Sequence, residues 1–422
     1  MRSIMKKLPL FILLLLLVVL AACNSKTTDG EENTTGDEGE EAAEEPVNTG
    51  GELKVAYPAQ PQTLDMQVSG AIATTDIMWH VYETLIGVDN TFAIQPMLAE
   101  SYEQSDDGLT VTFHLRQGVK FHNGEEMTSE DVVASMERYK RVSTHGKSMF
   151  SDVTFEADGD YTVIMTLPEP RSTALNTLAY PSAGHPAIMP KEIADNSDDT
   201  GVTEHIGTGP FMFHEWKQDQ HVHLKKFDDY QALSGEPSLT VGEKKALVDD
   251  LIFVFTPDSN TQASGLQSGE YDIAHEVNRD NAARLAEDEN ITNYVYPDAY
   301  LVANFNKKQG LFTDKNARQA VSAALDMEAI LQGAFTDSEY YKLNHNNMMY
   351  HQLELWDSDV GKDKYNIADE DLAKELLEQT NYDGEEIVII TDREYEEHYN
   401  ASVVIQDQLE RIGMNVDLQV YD

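Results

Sequence analysis

The amino terminus constrains this chain most. Lys6 and Lys7 precede an apolar run from Leu8 to Leu20, which closes on Ala21, Ala22 and Cys23. A basic stretch, a short apolar stretch and small residues before a cut make a secretory signal peptide. The run falls short of the ~20 apolar residues that span a bilayer comfortably, so it reads as an export signal rather than a permanent helix. The exported body must then hold together without an internal disulfide, because Cys23 is the single cysteine among 422 residues.

Leu20-Ala21-Ala22-Cys23 resembles a bacterial lipoprotein box, in which the cysteine becomes the lipidated first residue of the mature protein. That resemblance implies several acyl chains at one terminus, holding a soluble body on the outer face of the cell membrane without spanning it. In a Gram-negative cell this is the periplasmic side. An ordinary signal peptide with a coincidental cysteine stays open as the alternative. From Asn24 to Gly50 acids alternate with Gly, Thr and Asn and show no apolar period. Such a segment cannot bury enough apolar surface to offset its ordering entropy, and it is predicted to be a self-repelling tether.

Hydrophobic residues make up 41 % of the chain, which suits a globular body of two or three domains. A net charge of −45 leaves little to neutralise phosphates, which argues against a nucleic-acid partner. The same charge repels an anionic leaflet, so lipid rather than surface charge has to do any anchoring. Adaptation to a salty or alkaline medium, where screening relieves self-repulsion, and drift within a lineage are both open as origins of the acidity.

Structure is predicted to begin at Gly51, with Leu53, Val55 and Tyr57 alternating as in a strand until Pro58 and Pro61 break the chain. Ile77, Val81, Tyr82 and Leu85 stand near helical spacing and predict a helix over 76–86. Leu109, Val111, Phe113 and Leu115 form a period-two strand, Gly118 and Asn123-Gly124 turn the chain, and Thr128 or Ser129 caps a helix. Tyr161, Val163, Met165 and Leu167 make a further strand that stops at Pro168 and Pro170. After Ile206 the sequence Gly-Thr-Gly-Pro-Phe leads into a hairpin through Trp216 and Lys217; without a third glycine and a following helix it is no nucleotide loop. Leu251, Phe253 and Phe255 predict a strand, and 258–274 a helix.

Three blocks, TVTFHLRQGVKFHNGEEMTSEDVVASMER from Thr110, IGTGPFMFHEWKQDQHVHLKKFDDY from Ile206 and FTDKNARQAVSAALDMEAI from Phe312, resemble the peptide and nickel class of extracellular solute-binding proteins. These are receptors of dipeptide, oligopeptide, glutathione and nickel ABC importers. The resemblance implies an α/β, two-lobed periplasmic-binding-protein type II-like fold that closes around its ligand at a hinge, with an extra domain on the first lobe. Residues 51–87 and 208–295 would share the first lobe, 88–207 would form the appended domain, and 296–422 the second lobe. The implied role is that of a monomer that captures a short peptide and delivers it to an ABC permease and ATPase complex. A nickel-chelate or other solute receptor, or a signalling or adhesion protein on the same scaffold, remains the alternative. The resemblance further implies chain beyond Asp422, including the carboxylate for a peptide amino terminus, so the second lobe is expected to be partial.

The C-terminal stretch also reads from its own residues. Ile387–Ile390 is a short apolar strand, Ala401, Val404, Ile405, Leu409 and Ile412 share one helical face ended by Gly413, and Val416, Leu418 and Val420 alternate. This is a βαβ unit with parallel strands. Ligands of open α/β sheets gather beyond the carboxyl ends of the strands, which points to the loop Thr391–Tyr395. Arg393 there offers a planar fork for a carboxylate, although Asp392, Glu394, Glu396 and Glu397 compete as local salt-bridge partners. In dipeptide-binding relatives an arginine of this loop, placed before a Tyr and an Asn, resembles Arg393 and takes the peptide C-terminal carboxylate; the spacing here differs slightly.

Tyr395, Tyr300, Asn304 in a predicted strand 300–305, and Tyr57 and Gln60 after the first strand complete the candidate set. Packing or structural roles compete for each of them. No Gly-x-Ser-x-Gly elbow or His-Glu-x-x-His helix is present, and His221 and His223 on one strand face read as a solvated edge rather than a metal site. No catalysis, cofactor or bound metal is therefore expected.

Overall fold

The computed structural model describes residues 49–180, 184–295, 300–346 and 357–421; the export signal, Cys23 and the tether up to residue 48 lie outside the described residues. Strand β1 (Glu52–Tyr57) forms where the sequence alternates, and it runs into the core at Val55, Ala56 and Tyr57. The next helix is Ile72–Met78, earlier than the predicted 76–86. It stops because the carbonyls of His80 and Val81, which a longer helix would offer to its own next turn, accept the N–H groups of Phe211 (3.0 Å) and Gly209 (2.9 Å). That seam requires glycine: a Cβ at Gly209 would sit 2.5 Å from the His80 oxygen, and one at Gly207 2.1 Å from the Val81 oxygen. The Gly-Thr-Gly motif is thus a close approach of two backbones.

Strands β2 (Ile86–Val88) and β3 (Ile94–Pro96) pair as a short antiparallel ladder. β4 (Ala99–Gln104), β5 (Thr110–Leu115), β6 (Thr154–Ala157) and β7 (Thr162–Thr166) follow as an antiparallel sheet in the order β4-β5-β7-β6. Its alternating Val111, Phe113, Val163 and Met165 pack against Val132, Met136 and Tyr139 of helix Ser129–Val142. Thr128 and Asp131 cap that helix reciprocally, as the sequence predicts for a Thr128 start.

The chain then returns to β1. β8 (Phe211–Lys217) and β9 (His221–Lys226) form the predicted hairpin, and β10 (Asp250–Phe255) and β11 (Ile273–Ala274) flank β1 in parallel, giving the order β11-β1-β10-β9-β8. The helix expected over 258–274 ends at Ser268, where Gly269 turns left-handed at φ 74° and frees the following residues to reach β1. Arg138 braces the antiparallel layer to this sheet's core from a fully buried position, through Asp65, Gln67 and Ser197.

Beyond residue 310 helices Lys315–Ala324 and Glu370–Glu378 pack together, as do Met327–Phe335 and Glu396–Arg411. β12 (Glu386–Thr391) and β13 (Asn415–Val420) pair in parallel, as the βαβ reading requires. Ile387, Ala401, Leu409, Ile412 and Val416 join the core on which they close. The expected strand 300–305 does not form: the segment enters no ladder with β12 or β13, and Val302 is 58 % exposed. A segment with no ladder partner among the described residues has nothing there to hold strand geometry. Among the described residues no helix is long and apolar enough to cross a membrane.

Candidate functional site

β1 ends on Tyr57, and its parallel neighbour β11 is followed by His275 and Glu276. The register Val55↔Ile273 and Ala56↔Ala274 therefore brings His275 beside Tyr57, and the two rings stack at 4.8 Å with an interplanar angle of 18°. The Tyr57 hydroxyl donates to Asp76 Oδ2 at 2.7 Å, and His275 Nε2 lies 3.8 Å from the same oxygen. Burial, followed by the Asp76 carboxylate, pushes the Tyr57 hydroxyl well above the usual tyrosine range, so it stays a neutral donor.

The facing wall comes from the carboxyl end of β12. Tyr395 stands at the amino end of helix Glu396–Arg411 and lies within electrostatic reach of Tyr57. Burial, then the charges of Glu276, Glu394 and Asp76, push its hydroxyl upward as well. One residue on, Glu396 Oε2 accepts from Asn278 Nδ2 at 3.3 Å. The carboxyl ends of the parallel strands of the two sheets thus meet across one cleft, where open α/β sheets hold ligands.

Asp392 is occupied within its own loop, accepting from the Tyr395 N–H at 3.2 Å and pairing with His398 Nδ1 at 2.8 Å. Arg393 is exposed, with its guanidinium carbon 4.3 Å from the centre of the Tyr399 ring. Among the described residues it forms no ion pair with Asp392, Glu394, Glu396 or Glu397. The ring contact steadies the exposed guanidinium, whose N–H groups suit a bidentate acceptor.

The remaining candidates are placed differently. Gln60 spends its amide on the β8–β9 turn, donating to Asp219 Oδ1 at 3.3 Å and accepting the Asp219 N–H. Tyr300 is half-buried within reach of Tyr180, and its hydroxyl makes no hydrogen bond among the described residues. Asn304 lines an open cleft of about 460 Å³ with Lys307, Lys315, Arg318 and Gln319, which shares no residue with the Tyr57–Tyr395 site. His223 is held by Asp250 at 2.6 Å and His221 by Glu215 at 3.2 Å, and among the described residues no three His, Cys, Asp or Glu side chains converge as for a metal.

Asp76, His275, Glu276 and Tyr399 were not readable as site residues. Asp76 stood inside a helix predicted in the wrong place, and β11, which delivers His275, is only two residues long. Tyr399 carried a usable signal, since it lies on the first turn of the helix that follows Arg393.

The family model for bacterial extracellular solute-binding proteins, family 5 Middle, matches residues 93–422. Over 401 residues the chain is 30 % identical to the oligopeptide-binding protein AppA of Bacillus subtilis (strain 168), covering 88 % of this chain and 69 % of that protein. It is 28 % identical over 381 residues to the glutathione-binding protein GsiB of Salmonella typhimurium, covering 88 % and 70 % of the two chains. The solved structure of AppA in complex with a nonapeptide superposes with a TM-score of 0.73 at 27 % identity, covering 89 % of this chain and 76 % of that one. DppA from Helicobacter pylori, in complex with the peptide STSA, gives 0.74 at 28 % identity, covering 89 % and 74 %.

Proposed function

Because the chain belongs to the bacterial extracellular solute-binding proteins of family 5, we propose that it is the substrate-binding lipoprotein of an ABC importer, capturing short peptides outside the membrane and handing them to the permease. The fold is the two-lobed one of peptide and nickel periplasmic binding proteins. The family consists of solute-binding receptors, which are not enzymes. Within this reading 51–87 and 208–295 make the first lobe, 88–207 its appended domain and 296–422 the second lobe. The β1 sheet, drawn from both sides of the antiparallel β4–β7 layer, supports that division.

One observation carries the choice of a peptide: Arg393 is exposed, stacked on Tyr399 and without a carboxylate partner among the described residues, on the loop that faces Tyr57 and Asp76. A free peptide supplies the missing carboxylate at its C-terminus. Tyr57, Tyr395 and the acidic side chains around them would line the path of its backbone, with Tyr300 and Asn304 further along the second lobe. Lipidation at Cys23 would keep the receptor beside its permease on the outer face of the membrane.

The test uses di- to pentapeptides, each as free acid and as C-terminal amide, titrated calorimetrically. Arg393→Ala is expected to weaken the free acids by about 2–5 kcal/mol, the usual cost of removing one partner of a desolvated charge pair, and to leave the amides nearly unchanged. Equal losses for acid and amide would remove Arg393 from the role. Mass spectrometry of solute co-purified with the protein identifies the ligand itself.

A further inference from the structure

We propose that Arg279 is a clasp between the two lobes, a positioning residue that holds them together before any ligand arrives. Arg279 opens helix Arg279–Leu285, which is anchored to the β1 body: Asn281 Nδ2 donates to Ser259 Oγ at 3.1 Å and to Asn260 Oδ1 at 3.2 Å, and Leu285 is buried. From there the guanidinium reaches the other body. Its central carbon lies 4.8 Å from the centre of the Phe335 ring and 5.1 Å from that of Tyr340. Phe335 ends helix Met327–Phe335, which packs on helix Glu396–Arg411 of the second core.

Arg279 is half-buried, and its Nε is buried and makes no hydrogen bond among the described residues; the negative faces of the two rings offset part of that cost. The preceding residue adds a second bridge, Asn278 Nδ2 to Glu396 Oε2 at 3.3 Å. Glu396 follows Tyr395, so the clasp is continuous with the cleft in which Tyr395 meets Tyr57. Two partly desolvated cation–π contacts correspond to roughly tenfold in the equilibrium between closed and open lobes. Under the receptor reading, ligand affinity falls by the same factor when the closed form becomes a minor population.

Hydrogen exchange on the full, ligand-free chain tests the clasp, and since no ligand is present its failure is distinct from failure of the peptide reading. Arg279→Ala is expected to speed exchange about tenfold both at 335–341, where the contact is lost, and at 392–398, which Arg279 does not touch but which lobe opening exposes. Arg279→Lys, which keeps a cation over the rings, should restore part of the protection. A change confined to 335–341, or no change, overturns the proposal, because a purely local packing role predicts one or the other. Amides of Val55–Tyr57 report on global unfolding. If Arg279→Ala disturbs them, Phe335→Leu, which removes the ring and keeps the bulk, probes the clasp from its other side, with the same two outcomes deciding.

Discussion

Replacing Arg138 with methionine removes one partner of a fully buried ion pair. The Arg138 and Asp65 side chains are 0 % and 1 % exposed, and Nη2 lies 2.5 Å from Oδ2. Arg138 also donates to Asp65 Oδ1 at 3.3 Å, Gln67 Oε1 at 2.8 Å and Ser197 Oγ at 2.5 Å. In Arg138→Met the Asp65 carboxylate keeps, among the described residues, its two backbone donors, the N–H groups of Gln67 at 2.9 Å and Val202 at 3.0 Å, with its charge still buried.

Breaking a buried pair in this way costs about 3–5 kcal/mol, a large share of the ~5–15 kcal/mol by which a domain is stable. Asp65→Asn alone strands the guanidinium at a similar cost. In Arg138→Met/Asp65→Asn both charges are gone, and the single Asn oxygen still accepts from one of the two backbone N–H groups, which bind different oxygens of Asp65, so part of the loss should return. Urea unfolding followed by tryptophan fluorescence is the assay, because Trp79 and Trp216 pack against the core that Asp65 borders. The midpoints should shift at constant m-value. A single-variant loss below about 1 kcal/mol, or a double-variant loss equal to the sum of the singles, would refute the claim that the two charges depend on each other.

Two further outcomes follow from features already described. His80, His122, His185 and His205 are each held down to about 4 by burial, against an ordinary 6.5, so the unfolded chain takes up protons between pH 6.5 and 4 while the folded one does not. Stability is therefore whole above pH 6.5, falls as the pH drops through that window by up to about 1.4 kcal/mol per unit for each histidine, and stops falling on their account below 4; a melting temperature flat from pH 7 to 5 would contradict this. Cys23→Ser should release the protein into the medium of cells that otherwise retain it, and retention in the membrane fraction would show that lipid at Cys23 is not the anchor.

Where local pattern and tertiary context agree, the elements were legible. The parallel pair of β12 and β13 and the helix between them followed from apolar spacing and from Gly413, and the helix start was narrowed to Thr128 or Ser129, of which the structure uses Thr128. The helix predicted over 76–86 failed because its apolar residues serve a backbone seam with Gly207 and Gly209, far along the chain, and no local window contains that contact. Arg138 and Asp65 are 73 positions apart, and neither has a local pattern that marks it as buried. The same limit governed the site. Arg393 could be chosen from its place after a strand, whereas the pairing of Asp392 with His398 and the Tyr399 ring under the guanidinium appear only in the fold. Gln60 stood in the right sequence position for the cleft, yet its amide is claimed by a hairpin turn that only the fold brings near.

The glycine seam has a mechanical result. Since 207–211 is sewn onto 80–81, close to where the chain departs toward β2, the long excursion between them leaves and rejoins the β1 sheet through a single narrow neck. Arg138 cross-pins that neck to Asp65, and Gln67 to Ser135 and Thr240 to Val88 add further ties, so the antiparallel layer is fastened to the β1 body at several points along the chain. Substitutions on its outward surface leave those ties untouched.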